Sequence, residues 1–342
     1  MLNVAVVGCG YWGPNLIRNL YSLPECKVKL VCDVDKKRLA HVGTLYPGVQ
    51  TTCEFDHLVS NAEIDAIVIA TPVRSHFEMA KKSLQAGKHI FLEKPMASSV
   101  AECKELIELA EKQNLIIMVG HTFVYSQSIK KIKQIVNAGD LGEIQYISSR
   151  RLNLGLFQKD INVAWDLAPH DISIILHIMK EEPVSVNCQG KAHIAPGIED
   201  VTNITLNFPN GGFATIHSSW LDPNKVREMT FVGTKKMLVY DDIEPMEKIK
   251  IYDKCVNAPP HYDTFAEFHY SYHYGDMYSP HLQQEEPLKV ECQHFLDCIS
   301  KKVKPDSSGI EGLRVVQILE AASRSLKNGG GRIEIAQGVA LA

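Results

Sequence analysis

The glycine-rich stretch Val7–Gly13, "VGCGYWG", decides the fold class. It follows "NVAVV", an apolar run that predicts a buried parallel strand, and precedes "PNLIRNL", whose apolar spacing predicts an amphipathic helix. Between a strand and a helix, Gly8 permits a tight turn, Gly10 lets backbone N–H groups approach a pyrophosphate, and Gly13 allows close packing. The stretch therefore predicts a nucleotide-binding turn with the phosphate at the positive end of a helix.

A second strand, "VKLVCDVD", contains Asp33, twenty positions after Gly13. An acidic residue at this place accepts hydrogen bonds from the ribose hydroxyls and repels a 2′-phosphate. We therefore expect NAD as the cofactor and NADP to be less favoured. Three cations just beyond, Lys36, Lys37 and Arg38, leave NADP open as an alternative.

The strand–helix alternation continues to about residue 120 through "IDAIVIATP", "KHIFLEKP" and "NLIIMVGH". Repeated units of this kind predict an α/β Rossmann domain over 1–122 with a doubly wound parallel sheet. Ligands bind at the carboxyl ends of such strands, where Asp33, Thr71, Glu93, Lys94 and His121 are expected. The residues expected to hold the cofactor are Gly8, Gly10, Tyr11, Trp12, Gly13, Asp33, Thr71, Pro72, His76, Glu93, Lys94 and Pro95.

Strand patterns joined by turns then dominate, from "EIQYISSRRLNL" to "KKMLVYDD". They predict a second, α+β domain over 123–342 with a mostly antiparallel sheet, and we expect this domain to serve substrate binding and oligomerisation. Helices near the C-terminus could pack back on the first domain. We expect a homodimer or homotetramer, because one covering layer leaves a second sheet face carrying apolar side chains. The residues on which this expectation rests are Ile204, Leu206, Phe213, Ile216 and Phe231.

Composition agrees with a cytoplasmic enzyme. The chain has 342 residues, 45% of them hydrophobic, and a net charge of −4, which provides no basic field for nucleic acid or a membrane surface. Neither a signal peptide nor a membrane-spanning run is apparent. The nine cysteines are scattered without a C-x-x-C pair, so we expect reduced thiols.

The first candidate for chemistry is Glu93-Lys94-Pro95, directly after a predicted parallel strand. A lysine near the nicotinamide end of a bound dinucleotide could move a proton to or from a sugar hydroxyl. Pro95 could hold the turn through a cis peptide bond. The alternative is a solvated lysine at the end of a strand.

The second candidate is "WDLAPHD", in which Asp166 and His170 are four residues apart and share one face at the start of a helix. Pro169 is tolerated if it lies in the first turn, where N–H groups have no helical partner. The positive helix end would then favour a neutral His170, ready to accept a proton, with Asp166 orienting it or binding a substrate hydroxyl. The alternative is Asp166 as an ordinary N-cap and His170 as a surface residue.

Polar and aromatic residues around this pair are candidates for substrate contacts. Arg150 and Arg151 end a strand that leads into the crevice, and only one of them should reach the site because neighbouring strand residues face opposite ways. We expect Arg151 to be that residue, with solvated surface arginines as the alternative. The other candidate contacts, which could equally be packing residues, are Tyr125, Asn153, Asn162 and Trp165.

A His- and Tyr-rich segment near residue 270 raises the possibility of a metal site through His269 and His273. Its alternation, "FHYSYHY", predicts a strand and a turn, and no Cys or carboxylate completes a ligand set at a familiar spacing. We therefore expect no metal. Aromatic residues on a sheet are more typical of a subunit interface.

Three motifs together, "VGCGYWG", "LEKPMA" and "DLAPHD", resemble the glucose-fructose oxidoreductase/inositol dehydrogenase (Gfo/Idh/MocA) family over nearly the whole chain. The resemblance implies a Rossmann domain followed by a large open-faced sheet. It also implies that Lys94 and His170 transfer protons and that Asp166 is a partner and substrate ligand.

Further stretches, among them "GHTFVYS" and "PGIEDV", resemble the branch of nucleotide-sugar enzymes. This implies an NAD-dependent oxidation at C3 of a UDP-linked N-acetylhexosamine or its uronic acid. The glycine-rich stretch of many inositol and glucose dehydrogenases is replaced by "NVAW", which disfavours a free cyclitol. The alternatives are a nucleotide-deoxysugar 3-ketoreductase and a non-catalytic, cofactor-sensing regulator. A regulator would be expected to lose the lysine or the histidine pair.

Overall fold

A computed structural model of the protein describes residues 1–179, 181–257 and 271–336. The chain forms two compact units. The first contains residues 1–126 and 285–320, and the second contains 127–284 and 321–342. The first unit is therefore discontinuous in sequence.

The first unit is built on a six-stranded sheet in the order β3-β2-β1-β4-β5-β6, and every neighbouring pair is parallel. This confirms the predicted Rossmann sheet. The order reverses at β1, between β2 and β4, and the crevice at the carboxyl ends of β1 and β4 is where such sheets bind ligands. The strands are β1 (Leu2–Val7), β2 (Cys26–Cys32), β3 (Gln50–Thr52), β4 (Ala66–Ile69), β5 (His89–Glu93) and β6 (Ile117–Gly120).

The helices between these strands have local signals at their ends. Asp35 caps α2 by accepting the Lys37 N–H, and Ser99 caps α5 by accepting the Glu102 N–H. Asn114 ends α5 in the left-handed conformation. The helices are α1 (Gly13–Tyr21), α2 (Lys36–Leu45), α3 (Phe55–Ser60), α4 (His76–Gln85) and α5 (Val100–Gln113), with short 3₁₀ turns at Val73–Ser75 and Thr122–Tyr125.

The second unit contains a nine-stranded sheet in the order β14-β13-β12-β11-β7-β10-β9-β8-β15. All neighbouring pairs are antiparallel except β10 and β7, so the prediction of a mostly antiparallel sheet is confirmed. The strands are β7 (Ile144–Leu154), β8 (Ser185–Lys191), β9 (Val201–Asn207), β10 (Phe213–Ser219), β11 (Leu221–Gly233), β12 (Met237–Asp241), β13 (Ile249–Asn257), β14 (Ser271–Tyr278) and β15 (Ile333–Glu334).

One face of this sheet is covered by α7 (Val163–Ile178), which contacts β7, β9 and β10; a further helix, α6 (Gln127–Asn137), precedes β7 and was not predicted. Most of the apolar residues from which we predicted an oligomer are buried rather than on an open face of the sheet. Ile204, Leu206, Ile216 and Phe231 are fully buried, so they do not lie on a second, open face, and that part of the argument is wrong. Only Phe213 of the five is exposed, and its ring stacks on Tyr146 of β7 with centroids 5.6 Å apart.

Two long helices close the chain, α8 (Pro287–Lys301) and α9 (Gly309–Lys327). Leu288, Cys292 and Phe295 of α8 lie in the same apolar core as Leu16 of α1 and Phe91 of β5. The Phe91 and Phe295 rings meet edge to face with centroids 5.7 Å apart. Within the described ranges, no helix is long and apolar enough to cross a membrane.

Candidate active site

The glycine turn after β1 has the geometry that its sequence predicts. Gly8 has φ of +96°, and a Cβ placed there would lie 2.5 Å from the Ala70 carbonyl oxygen. A Cβ on Gly13 would lie only 1.9 Å from the Gly8 carbonyl oxygen, so helix and turn pack without room for a side chain. A Cβ on Gly10 would meet nothing closer than Arg38 Nη1 at 3.8 Å. Backbone N–H groups at this open position can receive a dinucleotide pyrophosphate.

The Asp33 carboxylate is anchored at the edge of this turn. Its Oδ2 accepts the Cys9 N–H at 2.6 Å, and its Oδ1 accepts the Asp35 N–H at 2.8 Å. Arg38 Nη1 lies 3.8 Å from Oδ2. Each carboxylate oxygen keeps a lone pair beyond its backbone contact, so Asp33 fits the acceptor that an NAD ribose needs. Tyr11 is exposed and Trp12 half-buried on the same turn.

Two of the expected cofactor residues are instead engaged by the protein itself. His76 is buried at the start of α4, and its two ring nitrogens lie near the carbonyls of Thr71 and Pro95. Thr71 Oγ1 accepts a hydrogen bond from Ser75 Oγ at 2.8 Å. Both ring nitrogens of His76 thus lie against backbone carbonyls, and its contact with the cofactor stays a prediction. Pro72 precedes the short 3₁₀ turn beside them.

The Glu93-Lys94-Pro95 turn follows β5, and its Lys94–Pro95 peptide bond is cis, as the sequence predicts. Lys94 is half-buried, but the Glu93 carboxyl turns away from solvent and lies against Gly120, where a Cβ would be 3.1 Å from Glu93 Oε2. A side chain at position 120 would therefore require the Glu93 carboxyl to shift by a few tenths of an ångström. Both the Glu93 and the His121 side chains are buried inside the first unit, and their place at the crevice stays a prediction.

Burial changes the ionisation of these two groups. It raises the pKa of Glu93 to about 7, with the positive charge of Lys94 acting in the opposite direction. Burial, reinforced by Lys94, lowers the pKa of His121 to about 3, so the imidazole is neutral at physiological pH. Glu291 of α8, which accepts a hydrogen bond from Thr122 Oγ1 at 2.7 Å, has its pKa raised well above the usual value by burial and by Glu93. Sequence reasoning did not find Glu291, which lies 198 positions from Glu93.

Replacing Glu93 with Gln should make the stability of the protein less dependent on pH. The unfolded chain ionises Glu93 above a pKa of 4.5, whereas the folded protein holds it neutral up to about pH 7. Stability is therefore lost as pH rises between these values, by about 3 kcal/mol in all. In urea denaturation at pH 5 and pH 8, Glu93→Gln should lose correspondingly less stability than the wild type. The exposed Glu108→Gln should behave as the wild type, and equal pH dependence of Glu93→Gln would contradict the assignment.

The second unit carries the Asp166–His170 pair on α7, and the helix begins earlier than predicted. Asn162 is the N-cap and accepts the Trp165 N–H at 3.2 Å, so Asp166 is not the cap. Pro169 and His170 lie inside the helix, past the first turn. The argument from free first-turn N–H groups therefore fails for Pro169, and the argument from the helix end weakens for His170, because the dipole effect fades beyond the first turn.

Asp166 is oriented by a residue that the sequence did not single out. Trp220, directly after β10, donates its indole Nε1–H to Asp166 Oδ2 at 3.1 Å. The indole is buried and fits against Gly155, where a Cβ would lie 2.2 Å from the ring. Phe157 packs on the ring with centroids 5.3 Å apart. Asp166 and His170 are both half-buried on the same side of α7, so a carboxylate and an imidazole are presented together.

Trp220→Phe should lower turnover by about fivefold while leaving the fold intact, because it removes one hydrogen bond to Asp166 and keeps most of the packing. Steady-state rates with the best substrate, together with melting curves, measure this. Phe157→Leu changes the packing on the same indole without removing its N–H, and its effect should be smaller. A Trp220→Phe enzyme as fast as the wild type would remove the indole from the positioning of Asp166.

The proposed substrate contacts mostly have partners within their own unit. Arg151 forms a buried, bidentate ion pair with Asp171, at 2.8 and 2.9 Å, whereas Arg150 pairs with Glu228 on the surface. Arg151 thus links β7 to α7 next to His170, and its contact with substrate stays a prediction. Tyr125 is buried, and its hydroxyl is hydrogen-bonded to Ser307. The Asn162 amide donates to Glu199, and the Trp165 Nε1–H donates to Ser323. Asn153 is half-buried on β7.

The His- and Tyr-rich segment forms β14 from Ser271 onward, whereas His269 lies outside the described residues. His273 on β14 contacts Asp253 at 3.3 Å. Across the described parts of the chain, no group of three or more His, Cys, Asp or Glu side chains could hold a metal ion.

Both units match known protein families. Residues 2–121 match the oxidoreductase family with an NAD-binding Rossmann fold, and residues 129–239 match the GFO/IDH/MocA C-terminal domain. These two ranges together cover most of the chain.

Similar proteins include several oxidoreductases. The uncharacterized oxidoreductase YrbE of Bacillus subtilis is 28% identical over 336 residues, which are 95% of this chain and 94% of that protein. UDP-N-acetylglucosamine 3-dehydrogenase of Acidithiobacillus ferrooxidans is 27% identical over 75% of this chain and 76% of its own.

Solved structures share the fold. The crystal form P212121 of the same Acidithiobacillus ferrooxidans enzyme, GnnA, has a TM-score of 0.81 at 23% identity and covers 96% of this chain and 99% of its own. GenD2 from gentamicin A biosynthesis, in complex with NAD, has a TM-score of 0.82 at 19% identity, over 98% of this chain and 96% of its own. The protein is thus a member of the Gfo/Idh/MocA family of oxidoreductases, which act on CH–OH groups with a nicotinamide cofactor, and its cofactor is NAD.

Proposed function

We propose that the protein is a sugar dehydrogenase that oxidises a ring carbon of a nucleotide-linked sugar, C3 of a UDP-linked N-acetylhexosamine or its uronic acid. The main support for a dehydrogenase is the Asp166–His170 pair on α7. The Trp220 indole N–H donates to Asp166 Oδ2 at 3.1 Å and so fixes the carboxylate. The similarity to UDP-N-acetylglucosamine 3-dehydrogenase, at 27% identity, supports the nucleotide sugar. A non-catalytic regulator has no need of such a supported acid–base pair.

In the proposed reaction, the sugar hydroxyl loses its proton as the carbon loses a hydride. Bound NAD supplies the hydride acceptor. The His170 imidazole accepts the hydroxyl proton, Asp166 holds the imidazole or a neighbouring sugar hydroxyl, and the Lys94 ammonium stabilises the oxygen that becomes the carbonyl. Gly10 and Asp33 bind the dinucleotide through backbone N–H groups and a carboxylate. The same groups serve the reverse reaction, in which a 3-keto sugar is reduced.

A screen of UDP-, dTDP- and GDP-sugars, followed by nicotinamide absorbance in both directions, tests the proposal. We expect turnover with a UDP-N-acetylhexosamine or its uronic acid and little with free inositols or glucose. Turnover with a free cyclitol alone would overturn the nucleotide-sugar assignment. Absence of turnover across the panel, with NAD bound, would favour a regulator.

We further propose that the protein is cytoplasmic and forms a homo-oligomer through the sheet of the second unit. The nine cysteines are scattered along the chain without a C-x-x-C pair, which suits a reducing compartment. Exposed aromatic side chains support an interface: the stacked Tyr146 and Phe213, and Tyr272 and Tyr274 on β14. Light scattering at micromolar concentration should show a dimer or tetramer, and Phe213→Asp should weaken it. A monomer in the wild type would contradict the interface.

A further inference from the structure

His76 joins the ends of two neighbouring strands in the first unit. Its Nε2 lies 2.8 Å from the carbonyl oxygen of Thr71, which follows β4, and its Nδ1 lies 3.0 Å from the carbonyl oxygen of Pro95, which follows β5. The side chain is 1% exposed. β4 and β5 are adjacent and parallel, so one buried imidazole contacts backbone at both carboxyl ends.

The two contacts place unusual demands on the imidazole. Both partners are carbonyl oxygens, which only accept hydrogen bonds, whereas a neutral imidazole has one N–H to donate. Burial, reinforced by the positive charge of Lys94, lowers the pKa of His76, while the Thr71 and Pro95 carbonyls act in the opposite direction. The Nδ1–H tautomer donates to the Pro95 carbonyl and the Nε2–H tautomer donates to the Thr71 carbonyl, so each ring nitrogen can hold its own strand end. The two ends are therefore linked through a single side chain.

Each strand end carries a different part of the site. On the Pro95 side, Lys94 directly precedes the carbonyl-bearing residue, so movement of the Pro95 carbonyl moves the Lys94 backbone. On the Thr71 side, the hydroxyls of Thr71 and Ser75 are hydrogen-bonded at 2.8 Å beside the crevice edge of β4. The His76 ring is buried, and both of its nitrogens contact backbone carbonyls. These contacts explain why a polar side chain is buried at this position without a bound ligand.

We propose that His76 is a positioning residue with two separable tasks: Nδ1 fixes the Lys94–Pro95 turn, and Nε2 fixes the Thr71 strand end for the dinucleotide. The first task rests on the proposed role of Lys94. The second depends only on NAD binding. A histidine that merely fills space would perform neither task separately, because loss of packing would disturb both strand ends together.

Two substitutions can separate the tasks. An Asn side chain places an amide NH₂ near the position of Nδ1, and a Gln side chain places one near the position of Nε2. His76→Asn should therefore keep the hold on Pro95 and lose that on Thr71, whereas His76→Gln should do the reverse. His76→Leu, which has no donor, should lose both. Melting temperatures report whether each variant folds.

Two measurements that need no sugar substrate follow the two strand ends. The dissociation constant of NADH, from its fluorescence, reports on the Thr71 side. The rate of reductive methylation of Lys94, followed by mass spectrometry, reports on the Pro95 side. We expect about a fivefold weaker affinity in His76→Asn than in His76→Gln, and about a fivefold change in Lys94 labelling in His76→Gln but not in His76→Asn. Once a substrate is known, His76→Gln should lower kcat more than His76→Asn does.

Equal changes in both variants, or no change in either, would overturn the proposal. Should the variants fail to fold, exchange of the ring N–H protons in the wild type provides a second test by NMR. His76 should exchange far more slowly than the exposed His57, and equal rates would also overturn it. The dehydrogenase assignment itself fails separately, through absence of turnover across the sugar panel, while the labelling and affinity patterns of the His76 variants would persist.

Discussion

Lys94→Ala should lose about a hundredfold or more of turnover while keeping its fold and its affinity for NAD. Lys94 is half-buried at the end of β5 and is not part of the apolar core, so truncation leaves the Rossmann sheet intact. A charged group that stabilises the reacting oxygen in the transition state typically contributes this much to the rate. The measurements are kcat with the substrate found by the screen and the NADH dissociation constant.

Lys82→Ala is the matched control for Lys94→Ala. Lys82 is an exposed lysine of the same unit, on α4, and pairs with Asp56 on the surface. The Lys82→Ala enzyme should have the turnover rate of the wild type, since surface ion pairs contribute little to stability. Near-normal turnover of a folded Lys94→Ala enzyme would remove the lysine from the mechanism and leave proton transfer to Asp166 and His170.

Alanine substitutions at Gly13 and Gly10, two glycines of the same turn, should affect different properties: Gly13→Ala the stability, and Gly10→Ala the affinity for the cofactor. Gly13→Ala places a Cβ 1.9 Å from the Gly8 carbonyl oxygen, which is backbone and cannot move aside cheaply. We expect a loss of about 3 kcal/mol of stability, or failure to fold. Gly10→Ala meets nothing in the protein closer than 3.8 Å, so the melting temperature should stay near that of the wild type.

The cost of Gly10→Ala should fall on the cofactor instead. Its methyl group would occupy the space through which a pyrophosphate reaches the backbone N–H groups, and the NADH dissociation constant should rise about tenfold or more. Urea denaturation and NADH fluorescence, applied to both variants, measure the two effects. Unchanged NADH affinity in Gly10→Ala would contradict this path of approach, and a fully stable Gly13→Ala would contradict the packing of α1 on the turn.

Features set by short stretches of chain were predictable from the sequence. The glycine turn, the place of Asp33 after β2 and the cis Lys94–Pro95 bond each depend on a few neighbouring residues, whose backbone preferences fix the local shape. The period of apolar residues likewise revealed the parallel sheet and most strands of the second sheet.

Features that depend on pairing between distant segments were not predictable. Trp220 reaches Asp166 across 54 positions, and the Tyr125 hydroxyl meets Ser307 across 182. Arg151 was expected to bind substrate because its strand could place one of two arginines in the site, but Asp171 on α7 takes both arms of its guanidinium. A single sequence specifies which residues share a strand face and leaves open which side chain from another element meets them.

The return of residues 285–320 to the first unit has a consequence for synthesis on the ribosome. The apolar core around Leu16 and Phe91 includes Leu288 and Phe295, which emerge only after the entire large sheet has been translated. Until then the nascent nucleotide domain exposes the apolar surface that α8 later covers. The first unit therefore stays incomplete until α8 has been made, and a gene fragment ending at residue 126 would lack the part of its apolar core that α8 supplies.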